Sequence, residues 1–301
     1  MHHLWVFRLH LLLGTLLILI GCERAEDGSL QSDTAANLSA PTVQALAAVP
    51  TEALFPPTPL PSLTPIIGTW IELRPGLERF NDVASLLTNP TRTEEILVFK
   101  IDPAQFQIDV GYTPGQGRAI AEWAADSRYA LVVNGGFFTD EMNATGLIVS
   151  DGVASGRSYT SRAGMFKVYG GEEGSAQRLE IIDLDEIGFV PDGTLWGGIQ
   201  TFPLLVGPSG VQAFQFETVD RARRTAVGID KDGMLLFIFA TTGRMTLTEF
   251  SAYLASSELE IDWALNLDGG SSSSYVLQVD GEQEILPALV RLPSVILVSE
   301  R

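Results

Sequence analysis

The sequence predicts an α+β domain with a mixed, mainly antiparallel β-sheet core and a few packed helices. From about Gly68 onward, short apolar runs of strand length alternate with Gly and Asp turns. Only two segments in this region have the spacing of an amphipathic helix, so strands should dominate. The stretch is long enough to bury one large core, and we expect a single domain over residues 67–301.

The apolar pattern predicts strands of two kinds. Residues 130–133 form an uninterrupted apolar run, which indicates a buried strand. Hairpins are predicted at residues 96–110, 146–153 and 225–240, the last two with Asp-Gly at their turns. Further strands are predicted at residues 165–169, 179–182, 263–267, 276–279 and 295–298.

Two helices are predicted between these strands. Residues 118–127 place Ile120 and Trp123 on one face. A second helix should begin at Thr246, because Thr246 and Glu249 have the spacing of a capping box and apolar residues follow at helical intervals.

The N-terminal region has the pattern of a secretory signal. Residues 11–20 are almost all apolar, and such a run is too short to span a bilayer comfortably. It ends at Gly21-Cys22, which resembles the lipobox of bacterial lipoproteins, and Cys22 is the sole cysteine. Lipidation would convert this unpaired thiol into a thioether; the alternative is an ordinary signal peptide with a chance cysteine. We expect residues 1–21 to be removed and Cys22 to anchor a lipoprotein in the membrane of a bacterium, outside the cytoplasm.

Residues 22–66 carry the lipidated cysteine and a segment rich in Pro, Ser, Thr and Ala. Such a composition buries too little apolar surface to fold, and its prolines keep the chain extended. We expect a disordered linker that holds the domain away from the membrane.

The composition removes whole classes of chemistry. All three histidines precede Cys22, so the mature domain has neither histidine nor free cysteine. A Ser-His-Asp triad, a Cys-His pair and the histidine-only or four-cysteine zinc sites are therefore excluded. The formal net charge is −18, and it becomes −19 when residues 1–21, which carry only Arg8, are removed. Binding to nucleic acid is not expected from such an acidic chain.

Three segments carry the residues with chemical potential: residues 134–138, 221–230 and 266–274. Asn134 and Asp268 each follow a predicted strand and precede two glycines, which permit a sharp turn and the close approach of another group. The alternative is a plain turn in which the side chain bonds its own backbone.

The second and third segments also offer groups that could bind an anion. Alternation would place Arg221 and Arg223 on one face and Arg224 on the other, unless the run is simply solvated. Gly269-Gly270 and the four serines after them could form a phosphate-binding nest, or a flexible loop, or a helix cap. Phe137, Phe138 and Trp196 could stack on a sugar, although Phe137 adjoins a buried strand and is expected in the core.

Together the three segments resemble the phosphodiester glycosidase family. Residues 146–149, residues 199–206 and the hairpin and helix before the third segment match in the same order. The resemblance covers roughly residues 70–299. Phe202 departs from it, because the family often has a small or polar residue there.

The resemblance implies a hydrolase that cleaves the glycosidic C–O bond of a sugar 1-phosphodiester on envelope or extracellular glycans. It implies Asp268 as general base or charge stabiliser, Arg224 as phosphate clamp and Asn134 as a hydrogen-bonding partner of the substrate. The other residues expected to contact the substrate are Gly135, Gly136, Phe138, Thr225, Gly269, Gly270, Ser271 and Ser272.

Two other functions remain open from the residues. One is a non-catalytic lipoprotein that binds envelope glycans, and the other is a phosphodiesterase that cuts the P–O bond. No cofactor is specified. A divalent metal held by Asp268 and other carboxylates is left open, with Asp140 and Glu141 the nearest candidates in sequence to the first segment.

Overall fold

The computed structural model describes residues 66–160, 163–170, 176–185, 189 and 193–301. The predicted signal peptide, Cys22 and the linker up to residue 65 lie outside the described residues. Within these ranges, neither helix has the length and apolarity needed to cross a membrane.

The described residues form three antiparallel sheets. The first contains β1 (Trp70–Arg74), β2 (Leu77–Leu86), β3 (Asn89–Ile101), β11 (Leu204–Gly207), β12 (Val211–Gln212), β13 (Arg224–Asp230), β14 (Leu235–Ala240) and β15 (Ile261–Asn266). The second contains β6 (Ile148–Ser150), β7 (Val153–Ser155), β8 (Gly164–Tyr169), β9 (Leu179–Asp183) and β10 (Leu195–Thr201). The third contains β4 (Phe106–Tyr112), β5 (Tyr129–Asn134), β16 (Tyr275–Val279), β17 (Glu282–Leu286) and β18 (Ser294–Glu300).

Neighbouring strands in each sheet are often distant in sequence. The orders are β1-β2-β3-β14-β13-β15-β11-β12, then β7-β6-β10-β8-β9, then β17-β16-β5-β18-β4. The mainly antiparallel sheet is therefore confirmed, but the α+β class is corrected. About half of the described residues are in strands and 8% are helical, so this part of the chain is mainly β.

The helices are α1 (Ile120–Trp123) and α2 (Leu247–Ser256), and a 3₁₀ turn lies at Pro208–Gly210. The prediction of a helix over residues 118–127 was too long. The Asp126 carboxylate accepts a hydrogen bond from the Arg128 amide at 3.0 Å, so this segment forms a turn instead of continuing the helix. The predicted start of α2 is confirmed, because Thr246 and Glu249 form the expected capping box.

The predicted hairpins at residues 146–153 and 225–240 are confirmed by the pairs β6–β7 and β13–β14. The predicted hairpin at residues 96–110 is wrong. β3 pairs with β2 and β14, whereas β4 pairs with β18 in another sheet. The alternating apolar residues of β4 pack into the main core from this other sheet.

The main hydrophobic core takes residues from all three sheets, and a second cluster lies between the largest sheet and α2. β5 runs between β16 and β18 and is buried along most of its length. β5 ends at Asn134, β10 at Thr201 and β15 at Asn266, and β13 begins at Arg224. The loops at these strand ends meet, as their hydrogen bonds show.

Candidate active site

Asn134 joins the three predicted segments. It is fully buried, and its Nδ2 donates to the carbonyl oxygens of Asp268 at 2.8 Å and Gly135 at 3.2 Å. Its Oδ1 accepts from Thr225 Oγ1 and from the Ser274 amide, each at 3.0 Å. Every donor and acceptor of the amide is thus occupied by the protein. The geometry gives Asn134 a positioning role and does not support the expected contact with substrate.

The glycines after Asn134 are required by close packing. A Cβ at Gly135 would collide with both the side chain and the backbone of Ser294, and one at Gly136 would lie 3.0 Å from Ile199. The Gly135 carbonyl oxygen accepts a hydrogen bond from the Asp268 amide at 3.1 Å. The glycine pair therefore seats the Asp268 turn directly against the end of β5.

Asp268 is the carboxylate at the centre of this loop cluster. Burial raises its pKa to about 6, although the Ser272 hydroxyl and the Gly269 amide, which hydrogen-bond the charged form, lower it in part. The residue keeps some contact with solvent. A carboxyl group with this pKa is ionised at neutral pH but held in a site that favours its protonated form, which is typical of acid–base groups.

Arg224 lies next to the Asp268 turn. Its Cδ would be 3.9 Å from a Cβ placed at Gly269, and its Nη2 donates to the Asp220 carbonyl oxygen at 2.6 Å. Its Nε is buried and has no partner in the described structure. Burial lowers the pKa of the guanidinium, and Asp220 raises it in part. Arg224 therefore keeps an unused hydrogen-bond donor, and its side chain approaches the turn that carries Asp268.

The two neighbouring arginines have structural partners. Arg221 bonds the Glu249 carboxylate at 2.9 Å and Thr88 Oγ1 at 2.7 Å. Arg223 donates to the Pro287 carbonyl oxygen at 3.1 Å. The three arginines are thus directed to different places, which agrees with the expectation that not all of them serve one site.

Three further unpartnered polar atoms surround the same loops. Of seven buried side-chain nitrogen and oxygen atoms without a partner in the described ranges, four lie here: Arg224 Nε, Asn266 Oδ1, Thr201 Oγ1 and Tyr159 Oη. Burial raises the pKa of the Tyr159 phenol to about 12, so it stays a neutral donor. Buried polar groups are normally paired, and a cluster of unpaired ones indicates a place where a polar ligand belongs.

Sequence reasoning missed Thr201, Asn266 and Tyr159 as site residues. Asn266 Nδ2 donates to the Phe202 carbonyl oxygen at 3.0 Å, which ties β15 to the turn after β10. For two of them the sequence position was an indication: Asn266 is the first residue of the third segment, and Thr201 lies within a stretch matched to the family. Nothing near Tyr159 in the sequence marks it.

The aromatic residues are arranged differently from the expectation. Phe137 contacts Phe202 with ring centroids 4.8 Å apart, and the Phe202 side chain is 41% exposed. Phe138 instead packs against the cluster around Ile120 and Trp123. The aromatic pair beside the loop cluster is therefore Phe137 and Phe202, and Phe138 belongs to a different cluster.

The serine segment is mostly engaged by the protein. The amides of Gly270, Ser272 and Ser274 donate to Arg223, Gly269 and Asn134 respectively. Thr225 is fully buried, and because its single hydroxyl proton is donated to Asn134, its Oγ1 accepts from the Ser273 hydroxyl at 3.0 Å. These amides cannot also form the expected anion nest, and Ser271, which is exposed, is the serine left facing solvent.

Asp140 and Glu141 lie in an exposed turn. Within the described ranges, no three His, Cys, Asp or Glu side chains come together in a group that could hold a metal ion.

The fold and this loop cluster define a mainly β protein with a polar site where the ends of its strands meet. Residues 127–298, more than half of the chain, match the phosphodiester glycosidase family. The chain belongs to this family. No curated protein sequence matches it significantly.

Three solved structures share the fold. The catalytic domain of zebrafish N-acetylglucosamine-1-phosphodiester α-N-acetylglucosaminidase, auto-inhibited by its pro-peptide, has a TM-score of 0.58 and 22% identity over 76% of this chain and 85% of its own. A hypothetical protein from Synechocystis has a TM-score of 0.54 and 17% identity over 77% of this chain and 64% of its own. A putative exported protein from Burkholderia pseudomallei K96243 has a TM-score of 0.52 and 15% identity over 71% of this chain and 76% of its own.

Proposed function

We propose that the chain is a hydrolase that cleaves the glycosidic C–O bond of a sugar 1-phosphodiester, releasing the sugar and leaving a phosphomonoester. One observation carries the proposal: Asp268, a carboxylate with a pKa of about 6, lies in the turn that Arg224 approaches, and the buried Nε of Arg224 has no partner in the described structure. The Asp268 carboxylate can activate water or stabilise developing positive charge, and the Arg224 guanidinium can bind a phosphate oxygen.

The chemistry needs few groups because a phosphate is already a good leaving group, so strong acid help is less necessary than in glycosidases with two carboxylates. The enzyme must orient water against the anomeric carbon, support the oxocarbenium-like charge and neutralise the departing phosphate. Asp268 orients the water as a general base or supports the oxocarbenium-like charge. Arg224 neutralises the departing phosphate, because a guanidinium binds phosphate oxygens with directed N–H groups.

The remaining groups shape the site. Asn134 holds Asp268 through its carbonyl oxygen, and the Phe137–Phe202 pair offers an apolar wall for a sugar ring. Asn266 Oδ1 and Tyr159 Oη are polar atoms that a sugar hydroxyl can satisfy. The family and the named substrate class of the zebrafish enzyme support N-acetylglucosamine 1-phosphodiesters as first probes.

The proposal includes the place where the enzyme works. The short apolar run before Cys22 and the linker after it support a lipoprotein that is held outside the cytoplasm and acts on phosphorylated glycans. Cys22→Ala should abolish labelling by a radioactive fatty acid and leave the protein unprocessed or released. Labelling that persists in Cys22→Ala would contradict the anchor.

The activity is tested by incubating the protein with N-acetylglucosamine 1-(methyl phosphate) in water labelled with heavy oxygen. We expect free N-acetylglucosamine that carries the label, and unlabelled methyl phosphate. Label in the phosphate would instead identify a phosphodiesterase that cuts the P–O bond. Binding of sugar 1-phosphodiesters without turnover of any of them would identify a glycan-binding lipoprotein.

A further inference from the structure

A second cavity, here called the Asn81 pocket, lies outside the loop cluster of the candidate active site. It has a volume of about 390 Å³ and is bordered by β2 and β3 on one side and by β16 and β17 on the other. Asn81, Leu97, Tyr275 and Leu286 contribute to its wall. It belongs to none of the three segments that the family resemblance singles out.

Asn81 contributes to the wall of this cavity, and its side-chain amide keeps an unused donor just beneath the surface of the wall. The residue is 8% exposed, and its Nδ2 has no partner in the described structure. Its Oδ1 accepts only two long contacts of 3.4 Å from Arg79, whose Nη1 is held by Glu284 at 2.6 Å. A buried amide donor calls for an acceptor, and the cavity is the space from which one can come.

The size of the cavity decides between water and a larger ligand. One water occupies about 30 Å³ of liquid volume, so the cavity exceeds the space of a single bridging water more than tenfold. It falls within the range of cavities that bind small organic molecules, about 300–1,000 Å³.

The wall indicates a neutral ligand. The guanidinium of Arg79 is already paired with Glu284, and the carboxylates of Asp82 and Glu95 lie on the same wall and repel anions. A bare cation has no acceptor to offer the N–H of Asn81, whereas a neutral hydroxyl can accept from this donor and donate to the carboxylates. Leu97 and Leu286 add apolar surface, so a ring with an apolar face and peripheral hydroxyls fits best; that is the chemistry of a sugar.

The pocket and the candidate active site are joined by one row of the largest sheet. Asn81 pairs with Leu97, Leu97 with Phe239, and Phe239 with Thr225, which bonds Asn134. Three strand spacings separate the ends of this row, about 14 Å. Leu97 and Phe239 are buried, so a glycan that reached both places would have to pass over the surface and use units several residues apart.

We propose that the Asn81 pocket binds a neutral sugar residue of a glycan at a place separate from the reacting phosphodiester. Asn81 Nδ2 donates to a hydroxyl or ring oxygen, and Leu97 and Leu286 contact the apolar face of the ring. A glycan held here can present another of its units to Asp268 and Arg224. The binding itself needs no bond cleavage, so it stands or falls independently of the proposed activity.

The test uses the full chain with Asp268→Asn, so that turnover cannot interfere. Methyl glycosides of glucose, mannose and N-acetylglucosamine are titrated and binding is followed by saturation-transfer NMR. We expect at least one to bind with a Kd on the order of 1–10 mM, typical of a single small ligand held by few contacts. Adding Asn81→Leu should weaken that binding at least tenfold. Asn89→Leu, at the exposed first residue of β3, is the matched control and should bind as before.

A second variant guards against loss of folding in Asn81→Leu. Val83 is 42% exposed and lines the same pocket, so Val83→Trp should narrow the cavity without disturbing the core. It should weaken binding while its Tm stays unchanged. The proposal is overturned if none of the three glycosides binds at about 10 mM, or if Val83→Trp and folded Asn81→Leu bind as well as the control.

Discussion

The carboxylates of Glu94 and Asp268 are both withdrawn from solvent, yet the protein surrounds them in opposite ways. Glu94 is fully buried and accepts from the amide and hydroxyl of Thr242, each at 2.6 Å, and from the amides of Arg244 and Met245. Asp268 has only the Ser272 hydroxyl and the Gly269 amide on its charged form, which do not offset its burial. One carboxylate is saturated with donors and the other is not.

Glu249 resembles Glu94, because its carboxylate also accepts several hydrogen bonds from the protein. Burial alone would raise its pKa, but donors from Thr246, Thr88 and Arg221 bring it down to about 2. These bonds fasten the start of α2 to the turn between β2 and β3. In this protein the fully hydrogen-bonded carboxylates of Glu94 and Glu249 fasten turns together, whereas Asp268 receives too few hydrogen bonds to offset its burial, which is the pattern expected of a chemically active group.

The largest expected effect is the loss of turnover in Asp268→Asn. The substitution keeps the size and turn preference of the side chain and removes its charge. We expect kcat to fall by about a hundredfold or more, the usual scale for losing a positioned acid–base or electrostatic group. The measurement is kcat on N-acetylglucosamine 1-(methyl phosphate), with a thermal melt to verify folding. Full activity in the folded variant would remove Asp268 from the mechanism.

Arg224→Lys should come next, because lysine keeps the charge but lacks the directed N–H groups of a guanidinium. We expect a loss in kcat/KM of about 30–150-fold, equivalent to about 2–3 kcal/mol for a charge-assisted contact in a shielded site. Arg223→Lys is the matched control, since Arg223 bonds Pro287 instead. Equal kinetics in the two variants would argue against a phosphate clamp at Arg224.

The pH profile should report the same carboxylate. With a pKa of about 6, Asp268 is mostly ionised at neutral pH and becomes protonated as the pH falls. We expect kcat/KM to drop by about tenfold per pH unit below that pKa, for either role of the charged form. The slope should disappear from the residual activity of Asp268→Asn. A profile that stays flat down to about pH 5 would show that the reaction does not need the ionised group.

Local patterns predicted much of this arrangement. The Asp232-Gly233 turn between β13 and β14 and the capping box at Thr246 follow from short stretches of sequence, and both are confirmed. The glycine pairs after Asn134 and Asp268 indicated close approach, and the two turns do meet. These features depend on neighbours within a few residues, which a sequence shows directly.

Features that depend on distant partners could not be predicted in this way. Asn134 looked free to bind substrate, but its amide is occupied by Thr225 and Ser274, which lie 91 and 140 residues away. The partner of β3 was missed because β2 mixes apolar and polar residues without a clear apolar run, although four of its ten residues are buried. Which strands meet, and which polar groups are left over, is decided by packing across the whole domain.

Glu249→Gln should affect stability and not chemistry. A pKa lowered to about 2 in the folded state means that the charged carboxylate stabilises the fold above the unfolded pKa, near 4.5, and that this stability is lost as the pH falls from there toward 2. We expect about 2 kcal/mol less stability at neutral pH, discounted because Arg221 is partly exposed. Urea unfolding measures this loss of stability, and kcat per folded molecule should not change. A variant as stable as the wild type would contradict the role of Glu249 as a fastener.

The smallest effect is the sharpest test of the comparison, because Asp268→Asn should change stability with the opposite sign. The folded state raises the pKa of Asp268 from 3.8 to about 6, so between these values it holds a proton that the unfolded chain lacks. Above that range the ionised carboxylate costs stability, and the cost disappears as the pH falls through it. We therefore expect Asp268→Asn to be more stable than the wild type by about 1–2 kcal/mol near pH 7, with the difference gone near pH 4. Urea unfolding at both pH values decides the matter. A variant that is destabilised at both would place Asp268 with Glu94 and Glu249, as a carboxylate whose bonds hold a turn in place.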